Sequence, residues 1–309
     1  MVSILRASDN ERALADISIN AQTREVEFHL NGFYDRQHFN SVIARPDSTP
    51  PTALRFRDIG VGGGSALIVH DTAIDGYSII APWRDTKALL VANRLDMLSG
   101  QLSTSDPILS SVLEVAEEII LVKNNQALVP QFHEGKFSSY NETIAETVKE
   151  LAQQFGIPHT MEAAVGFARL SNPYALNGVP VALTFNTDEN DVVRYVSIAL
   201  EPVVYHLDTR GSLVFRESLG IETHGKVPER DVVEIDMDST ATYVYSTGRL
   251  KASYASFYDF LQTSGVRKDV PFTSGLHATI AGLSGSHELS RITRSLLREG
   301  EMSLLRLKP

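Results

Sequence analysis

Gly100-Gln-Leu-Ser-Thr-Ser-Asp-Pro-Ile-Leu-Ser-Ser-Val-Leu-Glu-Val-Ala-Glu-Glu-Ile-Ile-Leu-Val122 is the stretch on which the reading of this chain turns. Its second half predicts a helix over 107–121. Ser105 or Asp106 is placed to cap the free N–H groups of the first turn, and Pro107 stands where a missing N–H costs nothing. Ile108, Leu109, Val112, Val115, Ala116 and Ile119 recur at three- and four-residue spacing, which marks one buried face. Glu114, Glu117 and Glu118 fall at i, i+3 and i+4, so the three carboxylates leave one patch of the helix. Two readings stay open for them, a solvated acidic face or a site for a hard divalent cation, which prefers oxygen ligands.

The order of residues resembles a known motif. Leu113-Glu-Val-Ala-Glu-Glu-Ile-Ile-Leu121 is similar to the core of the Nudix box, Arg-Glu-Φ-x-Glu-Glu-x-Gly-Φ with Φ aliphatic. Gly100 followed by Asp106 resembles the glycine and acid that open the box. Leu98-Ser99-Gly100-Gln101 is similar to its Pro-Gly-Gly turn. Ala66 to His70 and Lys87 to Arg94 look like the two strands ahead of it. Leu113 stands at the box arginine, Ile120 at the late glycine, and the spacer is one residue short. The resemblance implies an α/β (α+β) fold, a mixed β-sheet sandwiched between helices. It implies hydrolysis of a nucleoside diphosphate linked to another group, as in ADP-ribose or a nucleotide sugar. Glu114, Glu117 and Glu118 would hold Mg²⁺ or Mn²⁺, with Asp106 an accessory acid. Glu117, Glu118, Glu142 or Glu146 would take the proton of the attacking water. The alternative is a non-catalytic Nudix-like module that binds a nucleotide or a protein.

The chain has 309 residues, 43% of them hydrophobic and 21% charged, enough apolar material for a sizeable core. A net charge of −10 argues against a duplex nucleic acid partner, which demands a basic stripe to displace counterions. No cysteine is present, so disulfides, thiolate metal sites and a cysteine nucleophile are excluded. The first residues turn polar too soon for a signal peptide, and no run approaches the ~20 apolar residues of a membrane helix. The expectation is a cytoplasmic protein with no membrane partner.

Three regions are expected: a β-rich extension over 1–50, a Nudix-like domain over 51–265 and a C-terminal extension over 266–309. The first holds strand candidates at Ala13 to Ile19 and at Val26 to Leu30, and ends in the turn-rich Arg45 to Pro51. By analogy such a leader extends the sheet or makes a homodimer contact. Gly60-Val-Gly-Gly-Gly64 lacks the Gly-Lys-Ser/Thr of a phosphate loop and reads as a flexible turn or bulge feeding a central strand. Around it lie Arg55, Arg57, Arg84 and Arg94 with Trp83. These are candidates for phosphate binding and base stacking, or else scattered surface arginines and a core tryptophan.

A second helix is expected over Thr143 to Phe155, with Glu142, Glu146 and Glu150 on its far face, either solvated or lending a ligand or base. A hairpin follows at Asn186 to Asp191, with strands at Val203 to Leu207, Ser212 to Arg216 and Val232 to Met237. Helices are expected over Arg249 to Gln262 and Leu289 to Arg298, with a glycine- and serine-rich stretch between. The nine histidines are dispersed and form no His-Glu-x-x-His pair for zinc.

Overall fold

Runs of β-branched and aromatic residues dominate the described chain, and most of it is accordingly strand. The computed structural model describes residues 5–8, 11–43, 54–73, 76–84, 94–187, 193–208, 213–217, 233–235, 243–246 and 273–283. It is a mixed α+β protein, rich in sheet and sparing in helix. The strands are β1 (Glu11–Asn20), β2 (Glu25–Asp35), β3 (Leu54–Ser65), β4 (Leu67–Asp71), β5 (Gly76–Arg84), β6 (Arg94–Leu95) and β7 (Leu98–Gln101). After them come β8 (Ile119–Lys123), β9 (Gln126–Phe132), β10 (His159–Phe167), β11 (Tyr174–Leu176), β12 (Val179–Thr187), β13 (Val193–Leu200) and β14 (Val203–Leu207). Three short ones close the series, β15 (Leu213–Glu217), β16 (Val233–Ile235) and β17 (Tyr243–Ser246). The helices are α1 (Arg36–Ile43), α2 (Pro107–Glu118), α3 (Asn141–Gln154) and α4 (Ser274–Leu283), with a 3₁₀ turn at Gly135–Tyr140.

The strands form two sheets. The first runs β1-β2-β11-β12-β13-β3-β7, and β1 also pairs with β3, so the ring of pairings closes on itself through six strands with β7 outside it. Closure removes edges that would otherwise offer unpaired backbone groups. The segment expected as a leader thus supplies β1 and β2 to this ring. Ala13, Ala15, Ile17 and Ile19 enter its core beside Val26, Val181, Val196 and Ile198. The second sheet runs β16-β15-β8-β9-β10-β14-β4-β5-β17, with β6 on β5.

Two of the places where the chain passes from the first sheet into the second, β3 to β4 and β13 to β14, lie side by side. β13 lies parallel to β3 in the first sheet, and β14 parallel to β4 in the second. Ser65 Oγ donates to the Glu201 carbonyl at 2.8 Å and Val203 N–H donates to the Ala66 carbonyl at 2.9 Å, which ties the two crossings together.

Two turn expectations give way to strand. Gly60 to Gly64 lies inside β3, paired to β13 on one edge and partly to β7 on the other. Leu98 to Gln101, expected as a turn, is the partner strand β7 itself. The glycines are there for close approach: a methyl group on Gly64 would stand 2.4 Å from the Leu98 carbonyl oxygen. The expected helix over 107–121 ends at Glu118, because Ile119-Ile-Leu-Val122 is buried on both faces and enters β8 without a loop. α4 falls inside the glycine- and serine-rich stretch, where no helix was expected. The expected helices over 249–262 and 289–298, the 45–51 linker and most of the 87–94 strand lie outside the described residues.

One apolar core joins both sheets to α2 and α3. α2 carries Ile108, Leu109, Val112, Leu113, Val115 and Ala116 into it, and full burial of each larger aliphatic contributes about 1.5–3 kcal/mol as an upper estimate. Among the described residues, no helix is long and apolar enough to cross a membrane.

Candidate functional site

α2 is held at its start by its cap. Asp106 has extended backbone angles, and its carboxylate accepts from the N–H groups of Ile108 at 2.9 Å and Leu109 at 3.3 Å. That satisfies two of the donors a helix start leaves open. The second carboxylate oxygen accepts a short hydrogen bond from the Tyr140 hydroxyl, immediately ahead of α3. Burial, then the hydrogen bond and charge of Asp106, push the Tyr140 phenol well above its ordinary range. Asp106 is therefore committed to folding, and its carboxylate joins α2 to α3.

The sheet face under α2 is stripped of side chains where the helix bears polar groups. A methyl group on Gly63 would meet Ser111 Oγ at 2.5 Å, and one on Gly100 would meet Glu114 Oε2 at 2.3 Å. Gly63 and Gly100 are Cα partners across β3 and β7, so both present the same face to the helix. The Glu114 carboxylate accordingly rests on the backbone of Gly100, at the end strand of the first sheet. Glu118 lies one turn further on, about 6 Å along the axis. Both are buried, each only 8% exposed, while Glu117 between them is half-buried. Burial removes the solvated-face reading for Glu114 and Glu118.

The other predicted residues are placed differently. Glu142, Glu146 and Glu150 are all exposed, so the far face of α3 is the solvated one. Glu142 stands in the first turn of α3, two residues from Tyr140, which binds the opposite end of α2 from Glu117 and Glu118. Arg57 is exposed on the first half of β3, six residues and about 20 Å of strand from Gly63. Arg84 and Arg94 are direct backbone partners across β5 and β6; their side chains lie outside the described set. Among the described residues, no group of three or more His, Asp or Glu side chains is arranged to hold a metal ion.

Two features escaped the sequence reading. His70 and His206, 136 positions apart, bring their Nδ1 atoms to 3.0 Å. Only strand register could have revealed this, because neither histidine sits in a motif. Glu201 is the other: it is buried, accepts the Leu170 N–H at 3.2 Å, and directly follows the strand after the predicted hairpin. Burial pushes its carboxyl up, nearby Glu134 adds to this, and the Leu170 N–H and Arg169 oppose it.

Two buried carboxylates one turn apart, beside a glycine of an end strand, suit a hard cation that completes its shell with a ligand's oxygens. Mg²⁺ is commonly bound in that way, by one or two carboxylates with substrate phosphates and water. No protein-family model, no curated protein and no solved structure matches this chain.

Proposed function

We propose that the chain is a Nudix-like, Mg²⁺-dependent hydrolase of a nucleoside diphosphate linked to a second group. The observation that carries this reading is the burial of Glu114 and Glu118 on the face of α2 that meets Gly100. It adds to the order of the acidic residues, and to a strand–cap–helix unit running from Gly100 into α2. Glu114 and Glu118 are the residues that would hold the metal. A bound Mg²⁺ neutralises diphosphate charge and lowers the pKa of a bound water.

The chain's own residues do the remaining work. Gly100, without a side chain, leaves room for the Glu114 carboxylate against the strand. Asp106 and Tyr140 fix the start of α2, and with it the position of both carboxylates. Glu117, half-buried beside them, takes the proton as water oxygen attacks one phosphorus; the bridging P–O bond breaks and its electrons leave with the second phosphate. General base assistance of this kind contributes roughly 10²–10⁴-fold.

The second reading, a binding module without turnover, is favoured by Leu113 and Ile120. They occupy the places of the box arginine and glycine, and both are core residues, 2% and 1% exposed. Incubation with Mg²⁺ or Mn²⁺ and a panel of ADP-ribose, dinucleotides, nucleotide sugars and nucleoside triphosphates separates the two. Hydrolysis by wild type, lost in Glu114→Gln/Glu118→Gln and kept in Glu142→Gln, is the expected result. If no compound is cleaved faster by wild type than by the double variant, hydrolysis is discarded. A rise in melting temperature with nucleotide alone then supports the module.

A further inference from the structure

We propose that His70 and His206 form a binding site for a borderline-soft divalent transition metal, Zn²⁺ or Cu²⁺, separate from the carboxylates of α2. The two residues are Cα partners on the parallel neighbours β4 and β14, so their side chains leave the same face of the second sheet. His70 is half-buried and His206 exposed. The rings meet edge to face, with centroids 5.3 Å apart and planes at 88°.

Their Nδ1 atoms are 3.0 Å apart. Imidazole nitrogens bind Zn²⁺ at about 2.0–2.1 Å, so two of them on one ion stand roughly 3 Å apart at angles between right and tetrahedral. The spacing that now holds one shared N–H therefore already matches the bite of a chelate. On binding, the Nδ1–H proton between the rings leaves to solvent and both lone pairs turn to the ion. Water fills the remaining positions, as the exposure of His206 allows.

The surroundings of His206 favour that orientation. β10 has Gly166 beside it, and a methyl group there would stand 3.2 Å from His206 Nε2 and 3.7 Å from Glu134 Oε1. The absent side chain leaves room for the ring over β10, with the Glu134 carboxylate in the same neighbourhood. A carboxylate behind the non-ligating nitrogen is the usual second partner of a metal-bound histidine; it fixes the tautomer and raises basicity. The donor type sets the metal class, because imidazole suits Zn²⁺, Cu²⁺ and Ni²⁺ whereas Mg²⁺ takes oxygen.

The test uses tag-free full-length protein, stripped with EDTA and desalted. Zn²⁺ titration by calorimetry is expected to show a site that His70→Gln and His206→Gln each abolish. Glu134→Gln should weaken it about tenfold or more. Equimolar Cu²⁺ should give an electron paramagnetic resonance spectrum with hyperfine coupling to two imidazole nitrogens. Glu114→Gln/Glu118→Gln should retain both signals, which separates this site from the proposed hydrolase centre. Because the pair sits at the surface, metal-free melts of the histidine variants serve as the folding control. Equal Zn²⁺ affinity in wild type and both histidine variants, or Cu²⁺ without nitrogen coupling, overturns the proposal.

Discussion

α2 and α3 are near neighbours that carry the same kind of sequence and reach opposite outcomes. Each is amphipathic, and each has three glutamates at helical spacing: 114, 117 and 118 on α2, 142, 146 and 150 on α3. On α3 all three are in water, whereas on α2 two of the three are buried. The difference lies in what surrounds each helix. α3 buries one stripe, Ile144, Val148, Leu151 and Ala152, and leaves its glutamates to solvent. α2 is enclosed, with eleven of its twelve residues buried between β3, β7 and β13, β8 and α3. Acidic spacing reports that carboxylates share a patch; only the neighbours report whether that patch is wet.

The starts of the helices differ too. α2 has a side-chain cap in Asp106, while the cap position of α3, Tyr140, makes no such bond. Asn141 fixes α3 instead, exchanging two 2.9 Å hydrogen bonds with the backbone of Phe132 at the end of β9. α2 is thus capped through its own first turn, and α3 is pinned by a strand.

The sharpest way to break the comparison is a charge in the α2 core. Leu113→Arg, which would restore the residue of the Nudix pattern, should destabilise by about 3–5 kcal/mol, as an uncompensated buried charge does. Glu150→Arg on α3 should stay within about 0.5 kcal/mol. Urea unfolding of the two variants reads this directly, and equal midpoints would mean that α2 is no more enclosed than α3.

Next in size is metal response. Mn²⁺ at a hundredfold excess over its dissociation constant should stabilise wild type by about 2.7 kcal/mol. Glu114→Gln/Glu118→Gln should lose that gain and Glu142→Gln/Glu146→Gln should keep it. Thermal melts that give both variants the same shift would remove the distinction between the two acidic faces.

Asp106→Ala comes third, at about 1–2 kcal/mol, because it removes a cap and strands the Tyr140 hydroxyl. Tyr140 also predicts a pH effect. Its folded pKa is raised above the ordinary value of 10.0, so the folded state keeps a proton that the unfolded chain loses. Stability from this group is whole below pH 10 and falls as pH rises beyond it. Tyr205, raised by burial, contributes in the same direction. Denaturant midpoints between pH 9 and 11 should fall less steeply in Tyr140→Phe; an unchanged slope would deny the Asp106–Tyr140 link.

Smallest is the triple change Glu142→Gln/Glu146→Gln/Glu150→Gln. It should move stability by no more than a few tenths of a kcal/mol per site, the usual size for exposed positions. A larger loss in a thermal melt would show that the exposed face of α3 is engaged.

Local rules made much of this legible before any coordinates. The apolar periodicity of α2 and α3, the Asp106–Pro107 start, the strands at β1, β2, β4, β12, β13 and β14 and the hairpin between β12 and β13 all follow from residue type and spacing, because helices and strands repeat at 3.6 and 2.0 residues. Glycine misled the reading at 60–64 and 98–101. Its local meaning is a turn, and its meaning here is room for Ser111, Glu114 and the Leu98 carbonyl, which arrive from elsewhere in the chain. The end of α2 was misplaced by three residues for a related reason: Ile119 to Val122 continues the apolar pattern, but pairing with β9 and β15 claims it for strand.

What the sequence determined by itself was therefore the local inventory: which segments are helix or strand, and which carboxylates share a helix face. Tertiary structure alone decided which of those carboxylates are buried, that β1 closes a ring with β3, and that His70 meets His206. Each of these depends on partners between 14 and 136 positions away. Burial and long-range register come from surfaces brought together by the whole core, and no local period encodes them.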